Sequence, residues 1–519
     1  MALAPFFPRV SSAVGSVTGI RGDELATLLG ERVVRVFISA EARDVLGTRS
    51  GALLLVDLLA RLYPVLEMAA PESILSDIER RALAVNPSVE LRTPSSVNAC
   101  SLTFGSTRSQ PTDISIVPSG WLIHVDEAPD SQTEPNVFAG LAAGSVAAAE
   151  VFRAVFRREL GQRGRGGHQP GRMDLVDRAN STAATPRLDV ELPRLHLAGA
   201  GAVGQACLHA LATAGCKAEV VVVDPEFIEL SNIQRYVLST IEDVGRAKVE
   251  VAREATRDSA LDVIAVQTHW GADERSGPEQ ESVLVALDTA RDRIGVAAGL
   301  HGRVYNAWTQ PDDVGWSRHE SFGVDPCLAC LYWPQGQRLN DDEQVAAALH
   351  QHRLRVLSYF VTRTPVGTAL PVIGEAADLP PPREAQEWLE RPLLVDLIEQ
   401  GFIDETEAGE WVSKSIGDLY SEGICGGGIV RTTLTGTDED RIVPLAHQSA
   451  LAGVMLALQT VLATPALASM RSKSIEQRFD VLTGLPPVMD RPRQRTPACI
   501  CSDPDYLEVA SGRPGRLTH

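Results

Sequence analysis

Residues 195–248 read LHLAGAGAVGQACLHALATAGCKAEVVVVDPEFIELSNIQRYVLSTIEDVGRAK, and this stretch decides the fold. The apolar run 195–198 predicts a buried strand. It enters a glycine turn, Gly199-Ala200-Gly201-Ala202-Val203-Gly204. An apolar helical pattern begins at Gln205, and a second strand, 219–223, ends on Asp224. Strand, glycine turn, helix and strand in this order make a phosphate-binding βαβ unit. Gly199 and Gly201 permit a tight turn and a close approach of backbone to phosphate. Gly204 lets the helix pack on the strand, and the helix N-terminus offers free N–H groups and a positive dipole end. Asp224, about twenty residues past the turn, is placed to accept from ribose hydroxyls. Alone, this much indicates an adenine nucleotide, and an NAD or flavin site would satisfy it.

Composition bounds the rest. A chain of 519 residues exceeds one ordinary core, so several domains are expected. Hydrophobic residues at 44% and charged ones at 22% indicate a globular chain rather than a disordered one. A net charge of −19 argues against nucleic acid, because neutralising phosphates needs a basic face. No apolar run is long enough to span a bilayer, so no membrane association is expected. The opening MALAPFFPRVSSAVG lacks a basic segment ahead of a long apolar core, so no signal peptide is read and the expected compartment is the cytoplasm. In that setting the eight cysteines are expected to be thiols, ligands or nucleophiles, not a disulfide framework.

Composition and pattern divide the chain. Residues 1–170 carry a strand at 32–39, an amphipathic helix at 51–63 ending before Pro64, strands at 114–117 and 121–125, and a long helix at 137–156 with small residues on one face. The order is again strand–helix–strand, but no GxGxxG comes after the first strand; the connection there reads SAEARDVLGTRSG. This half therefore reads as a nucleotide-type α/β fold without the nucleotide loop. Residues 171–193 continue a Gly-, Arg-, Ser-, Thr- and Pro-rich run and read as a linker. The second α/β domain occupies 194–335, with further strands at 263–266, 282–287 and 302–308. Helical patterns at 342–362 and 383–400 mark an inserted region, 336–430. The segment 431–519 returns to the second domain. Its helix at 446–462 resembles 137–156: both are apolar, alanine-rich and preceded by a proline, which suggests a weak internal repeat.

The residues beyond Asp224 are more restrictive than the glycine turn. Ser231-Asn232-Ile233-Gln234-Arg235 and then Gly245-Arg246-Ala247-Lys248 stand downstream, and Arg293 stands five residues past Asp288. These segments resemble the adenylation domain of ubiquitin-activating enzymes and their bacterial relatives, the ThiF/HesA/MoeB family. The resemblance covers 190–335 and 425–505 by sequence and 1–170 by architecture. It implies a Rossmann-like adenylation domain, preceded by a degenerate adenylation-like α/β domain that has lost ATP binding, with an inserted helical catalytic-cysteine region. Forming an acyl-adenylate is mostly placement and charge neutralisation. Arg235 suits phosphate by bidentate geometry and Lys248 as a point charge. Asp288 suits Mg²⁺, and the Asn232 amide suits phosphate or ribose. Tyr236 departs from the family, which usually has Gln there.

The resemblance also assigns cysteines. Cys327-x-x-Cys330 and Cys499-x-Cys501 match the family's structural zinc site, although the second pair is usually CxxC. Cys425, in EGICGGGIV, falls where thioester-forming members carry their cysteine. A thiolate suits attack on an adenylated carboxylate, and flanking glycines leave the sulfur approachable. Two unrelated pairs of thiols, and a small turn residue, are the plainer alternatives. Cys207 and Cys216 read as core, and His447 as a cap or packing residue. The family works as dimers or pseudodimers in which an arginine of the inactive copy can reach the ATP site. Arg21, Arg32 and Arg35 are candidates here, and an unrelated accessory domain is the alternative for this half.

The implied function is ATP- and Mg²⁺-dependent adenylation of a ubiquitin-like protein with an exposed C-terminal glycine. A thioester on Cys425 and transfer to a conjugating-enzyme-like partner would come next. The plan resembles bacterial systems that sometimes serve antiviral defence. The chain would be a pseudodimer, with further homo-oligomerisation open. Two alternatives remain: adenylation of a sulfur-carrier protein or peptide in cofactor biosynthesis without a thioester, and a non-catalytic nucleotide-binding scaffold.

Overall fold

Alternation sets the first strand. VVRVFI buries every second residue as β1 (Val33–Ile38). In the computed structural model α1 (Phe7–Thr18) and α2 (Gly22–Glu31) precede it; helix and strand then alternate through three strands, and three more strands run in succession before the next helix. The elements are α3 (Leu46–Ala60), β2 (Val65–Ala69), α4 (Glu72–Val85), β3 (Glu90–Arg92), β4 (Ala99–Phe104) and β5 (Ile114–Ser119). β6 (Leu122–Val125), α5 (Val137–Val155), α6 (Arg157–Gln162) and β7 (Gly171–Asp174) complete the first half. The structure describes residues 3–96, 98–106, 114–131, 133–162, 170–176, 190–278, 280–310, 313–332, 443–483, 489–490, 494–497 and 499–512.

The second half opens with β8 (Leu195–Ala198), α7 (Ala202–Thr213) and β9 (Ala218–Val223), the βαβ unit read from the sequence. β8 and β9 pair in parallel, and residues 220–223 are all buried, as a strand covered on both faces requires. Next come α8 (Lys248–Ala255), β10 (Leu261–Val266), β11 (Ser282–Val285), α9 (Ala290–Ala298), β12 (Arg303–Gln310), β13 (Asp313–His319) and α10 (Leu328–Tyr332). After the interval beyond Trp333, α11 (Ala446–Leu462), β14 (Glu476–Phe479), β15 (Met489–Asp490) and α12 (Pro504–Ser511) close the half.

The two sheets share one plan. Their orders are β3-β2-β1-β4-β5-β6-β7 and β10-β9-β8-β11-β12-β13-β14-β15, and strand for strand they correspond through the first seven. Each is parallel through its fifth strand and antiparallel beyond. The long helices α5 and α11 occupy equivalent places, between the sixth and seventh strands. The fold is thus two Rossmann-like α/β halves. β7 lies inside the stretch whose composition reads as linker; GRMD is too short to show a pattern and becomes a strand because β6 offers it an edge. α3 also differs from its sequence pattern. It begins earlier and is buried on nearly every side.

The core runs through both halves without a break. α5 is apolar all round and packs on α3 and α11, while α11 packs on α7. A Cβ on Gly140 would collide with the Gly47 carbonyl, so glycine permits the α3–α5 contact. Asn136 caps α5, accepting from the Ala139 N–H at 2.9 Å. Phe152 of α5 meets His447 of α11 with ring centroids 5.7 Å apart. Burial pushes the His447 pKa down to about 3, so it packs as a neutral ring. Among the described residues α5 alone has the length and composition to cross a membrane, and it lies buried in this core.

Candidate functional site

Gly199 leaves β8 with φ of 97°, a left-handed conformation that favours glycine, and a Cβ there would press on the Ala286 carbonyl at 2.7 Å. A Cβ on Gly204 would strike the Gly199 carbonyl. Gly201 is the N-cap of α7 and makes no side-chain cap. The turn is therefore bare backbone at a helix N-terminus, the form of a phosphate cradle.

Asp224 fastens this turn to the end of β9. Its Oδ2 accepts from the Ala200 N–H at 2.8 Å and its Oδ1 from the Glu226 N–H at 2.9 Å. Each oxygen keeps a lone pair for a ribose hydroxyl. Burial raises its pKa, opposed by Lys248 and the two N–H donors. The SNIQR segment is a short helical turn, Leu230–Gln234. Asn232 caps it, its Oδ1 accepting from the Glu229 N–H at 3.0 Å while its Nδ2 donates to Ser231 Oγ at 3.5 Å. Arg235 comes next, and its Nη1 is buried with no hydrogen-bond partner among the described residues. A buried N–H left unpaired costs roughly 1–3 kcal/mol, which fits a place prepared for an acceptor.

Lys248 begins α8 with its side chain buried. Its Nζ pairs with Glu226 and stands 5.4 Å from the Tyr236 ring centroid, and the Arg235 guanidinium stands 5.6 Å from the same ring. Tyr236, the residue that departs from the family, thus has both cations within cation–π distance of its ring. Burial pulls the Lys248 pKa down, but Tyr236, Asp224 and Glu226 outweigh it and hold the ammonium above its usual value. Asp288 stands just past β11. Much of its surface is open to water, yet enough protein surrounds it to raise its pKa, and Glu226 and Asp292 add to the rise. Arg293 is occupied with structure: its Nη1 donates to the Ala307 carbonyl and to Tyr332 Oη, both at 2.9 Å. Its Nη2 donates to the Leu287 carbonyl, which fixes the strand end that carries Asp288.

The cysteine pairs meet. The sulfurs of Cys327, Cys330, Cys499 and Cys501 lie within 4.8 Å of one another, all four residues buried. Cys327 and Cys499 are 3.5 Å apart and Cys330 and Cys501 3.4 Å, too far for disulfides at about 2.05 Å. The group has the donors for one metal ion, and the CxC spacing does not prevent convergence. Cys425 lies outside the described residues. Cys207 and Cys216 are core, their thiols pushed up by burial.

Contacts from the first half to this site come from residues that no sequence motif singles out. Arg61, at the end of α3, donates through Nη1 to the Ile233 carbonyl, and Arg81 of α4 reaches the Val237 carbonyl at 3.5 Å. Of the three arginines considered from sequence, Arg35 is held by Glu67 at 2.7 Å. Arg21 packs against Gly15. Arg32 lines a cleft of about 690 Å³ with Glu24, Glu31 and Arg157, whose mixed charges and lack of a glycine turn separate it from the chemistry above.

Residues 187–298 match the ThiF family model. Over 541 residues, 98% of this chain and 96% of the relative, the sequence is 31% identical to Uncharacterized protein y4jF of Sinorhizobium fredii (strain NBRC 101917 / NGR234). A solved structure described as the crystal structure of SeMet PaaA is 22% identical over 25% of this chain and 41% of its own, with a TM-score of 0.21.

Proposed function

Because the chain belongs to the ThiF family, an adenylyltransferase type, we propose that it activates the C-terminal carboxylate of a ubiquitin-like protein with ATP and Mg²⁺. Cys425 then takes the acyl group as a thioester and passes it to a conjugating-enzyme-like partner. The observation that carries the nucleotide chemistry is the Nη1 of Arg235, unpaired among the described residues, beside Lys248 and near a turn of bare backbone. A redox dinucleotide has little use for two cations placed beyond its pyrophosphate loop; a transferring phosphate does.

The residues divide the work. The glycine turn receives phosphate through backbone, and Asp224 holds the turn and the ribose. The carboxylate oxygen of the substrate protein attacks the α-phosphorus, and the bond to the pyrophosphate oxygen breaks. Arg235 and Lys248 neutralise the charge that moves onto the leaving group. Lys248 must exchange its Glu226 partner for phosphate as the nucleotide enters. Asp288 would hold Mg²⁺, which supplies further charge neutralisation at the phosphates. In the second step the Cys425 thiolate attacks the acyl carbon and AMP leaves. The four-cysteine group would hold structural Zn²⁺. The first half, with the same strand order and no glycine turn, acts as the inactive copy of a pseudodimer.

Pyrophosphate exchange into ATP, dependent on a ubiquitin-like protein, tests the first step. A thiol-sensitive adduct on a non-reducing gel tests the second. Loss of the adduct in Cys425→Ala with exchange intact is the expected result. An adduct that survives Cys425→Ala ends the thioester assignment. Exchange without any adduct in the wild type leaves adenylation of a sulfur carrier.

A further inference from the structure

The join between the halves is built from buried charge. Asp57, Arg61 and Arg81 all belong to the half that lacks a glycine turn. Arg61 and Asp57 are both 1% exposed. Arg61 donates to Asp57 Oδ2 through Nε at 3.2 Å and Nη2 at 3.0 Å, and its remaining Nη1 crosses to the carbonyl of Ile233. Arg81 braces the same carboxylate at 3.4 Å and reaches the Val237 carbonyl. From the other side, Gln205 of α7 accepts from the Leu238 N–H at 3.2 Å and the Ser239 hydroxyl at 3.0 Å. The stretch from Ile233 to Ser239 is therefore held at both ends. Between the holds stand Arg235 and Tyr236, and neither hold touches the Arg235 guanidinium.

We infer that Arg61, oriented by Asp57, is a positioning residue: it fixes the backbone of the Leu230–Gln234 turn so that Arg235 meets the nucleotide phosphates. The inactive half thereby contributes to the nucleotide site through a main-chain carbonyl, without touching ATP. The functional role rests on the adenylation reading; the mechanical one does not. A buried, doubly bonded guanidinium is a rigid planar fork, whereas a lysine ammonium is a point donor on a flexible stem and cannot reproduce the paired Nε and Nη2 bonds to Asp57 together with the Nη1 bond to Ile233. Removing Arg61 alone would strand Asp57 as a buried charge and threaten the fold. Replacing both members with apolar residues of similar size avoids that cost.

The test uses the full chain with Asp57→Leu/Arg61→Met, Arg235→Ala, and the two combined. Hydrogen exchange at amides 230–239 and ATP titration are measured for each. The inference expects faster exchange over 230–239 in Asp57→Leu/Arg61→Met, with the amides of β8 and α7 unchanged. It expects ATP binding weakened about tenfold or more, as the loss of one hydrogen bond to a charged group would weaken it. Because Arg61 acts through Arg235, adding Arg235→Ala must cost little more, where independent sites would add. Unchanged exchange over 230–239 overturns the inference, and so do additive losses. A wild type that binds no ATP defeats the adenylation reading and not the hold, which exchange alone then decides.

Discussion

Arg235 and Lys248 share one aromatic ring and differ in partner: Lys248 has Glu226, and Arg235 Nη1 has no partner among the described residues. Their loss should differ accordingly. Arg235→Ala removes a ready donor, and pyrophosphate exchange should fall about 100- to 1000-fold, the cost of losing one preorganised donor. The fold should stay intact by circular dichroism, since no described contact of Nη1 is lost. Asp288 gives the pH dependence. It must be ionised to hold a cation, and the protein around it together with Glu226 and Asp292 raises its pKa against the pull of Arg293. Exchange should therefore fail on acidification at a higher pH than a free aspartate would dictate. Glu226→Gln removes one like charge, and the acid limb of the pH profile should move to lower pH; an unmoved limb would mean another group sets it. At this scale motif spacing singled out Asp224, Arg235 and Lys248, and the fold brings Arg235 and Lys248 to one ring and Lys248 to the side of Asp224. The sequence did not disclose Tyr236 as a shared π platform or Glu226 as the counter-ion, since neither belongs to a spacing rule. An aromatic residue beside a conspicuous arginine was the one available hint.

Elements are held by similar pairs. Arg35 on β1 and Glu67 on β2 face each other across parallel strands, and Ser95 and Ser96 also donate to the carboxylate. Burial raises its pKa, the hydrogen bonds outweigh this, and the group is held at about 2. A depressed carboxylate stabilises the folded state above its unfolded pKa and loses that contribution as pH falls toward the folded one. Here the window runs from about 4.5 down to about 2, and about 3 kcal/mol is at stake. Glu67→Gln should flatten the acid limb of a stability curve measured by urea unfolding at several pH values. The α3–α5 contact is a second element-scale test. Gly140→Val would drive a side chain into the Gly47 backbone, and a loss of about 3 kcal/mol or more, that of severe overpacking, should appear as a lowered thermal midpoint. The close approach was partly legible, because 137–156 shows small residues on one face. Its partner was not, because α3 lies far off in sequence and reads there as a helix with one apolar face, whereas it is buried on nearly every side.

For the whole molecule, the doubled architecture was legible in outline from two strand–helix–strand series and two alanine-rich helices. The coupling between halves was not: Arg61 and Ile233 stand 172 positions apart, and no local pattern announces a main-chain carbonyl as a target. The cysteine group joins equally distant positions, yet CxxC and CxC announce themselves as pairs. If the group holds zinc, metal analysis should find about one equivalent, and Cys499→Ser should lower both metal content and thermal midpoint. That group has a topological effect as well. The second half is interrupted between Trp333 and Val443, and the cysteines tie positions before the interruption to positions after it. In the folded protein this tie makes chain continuity dispensable. α11 is already seated in the common core and β14 in the sheet. A chain nicked by protease anywhere within 334–442 should run as two bands under denaturing conditions, yet elute as one particle on gel filtration. The parts of the second half before and after that interval would then stay together without a continuous chain between them.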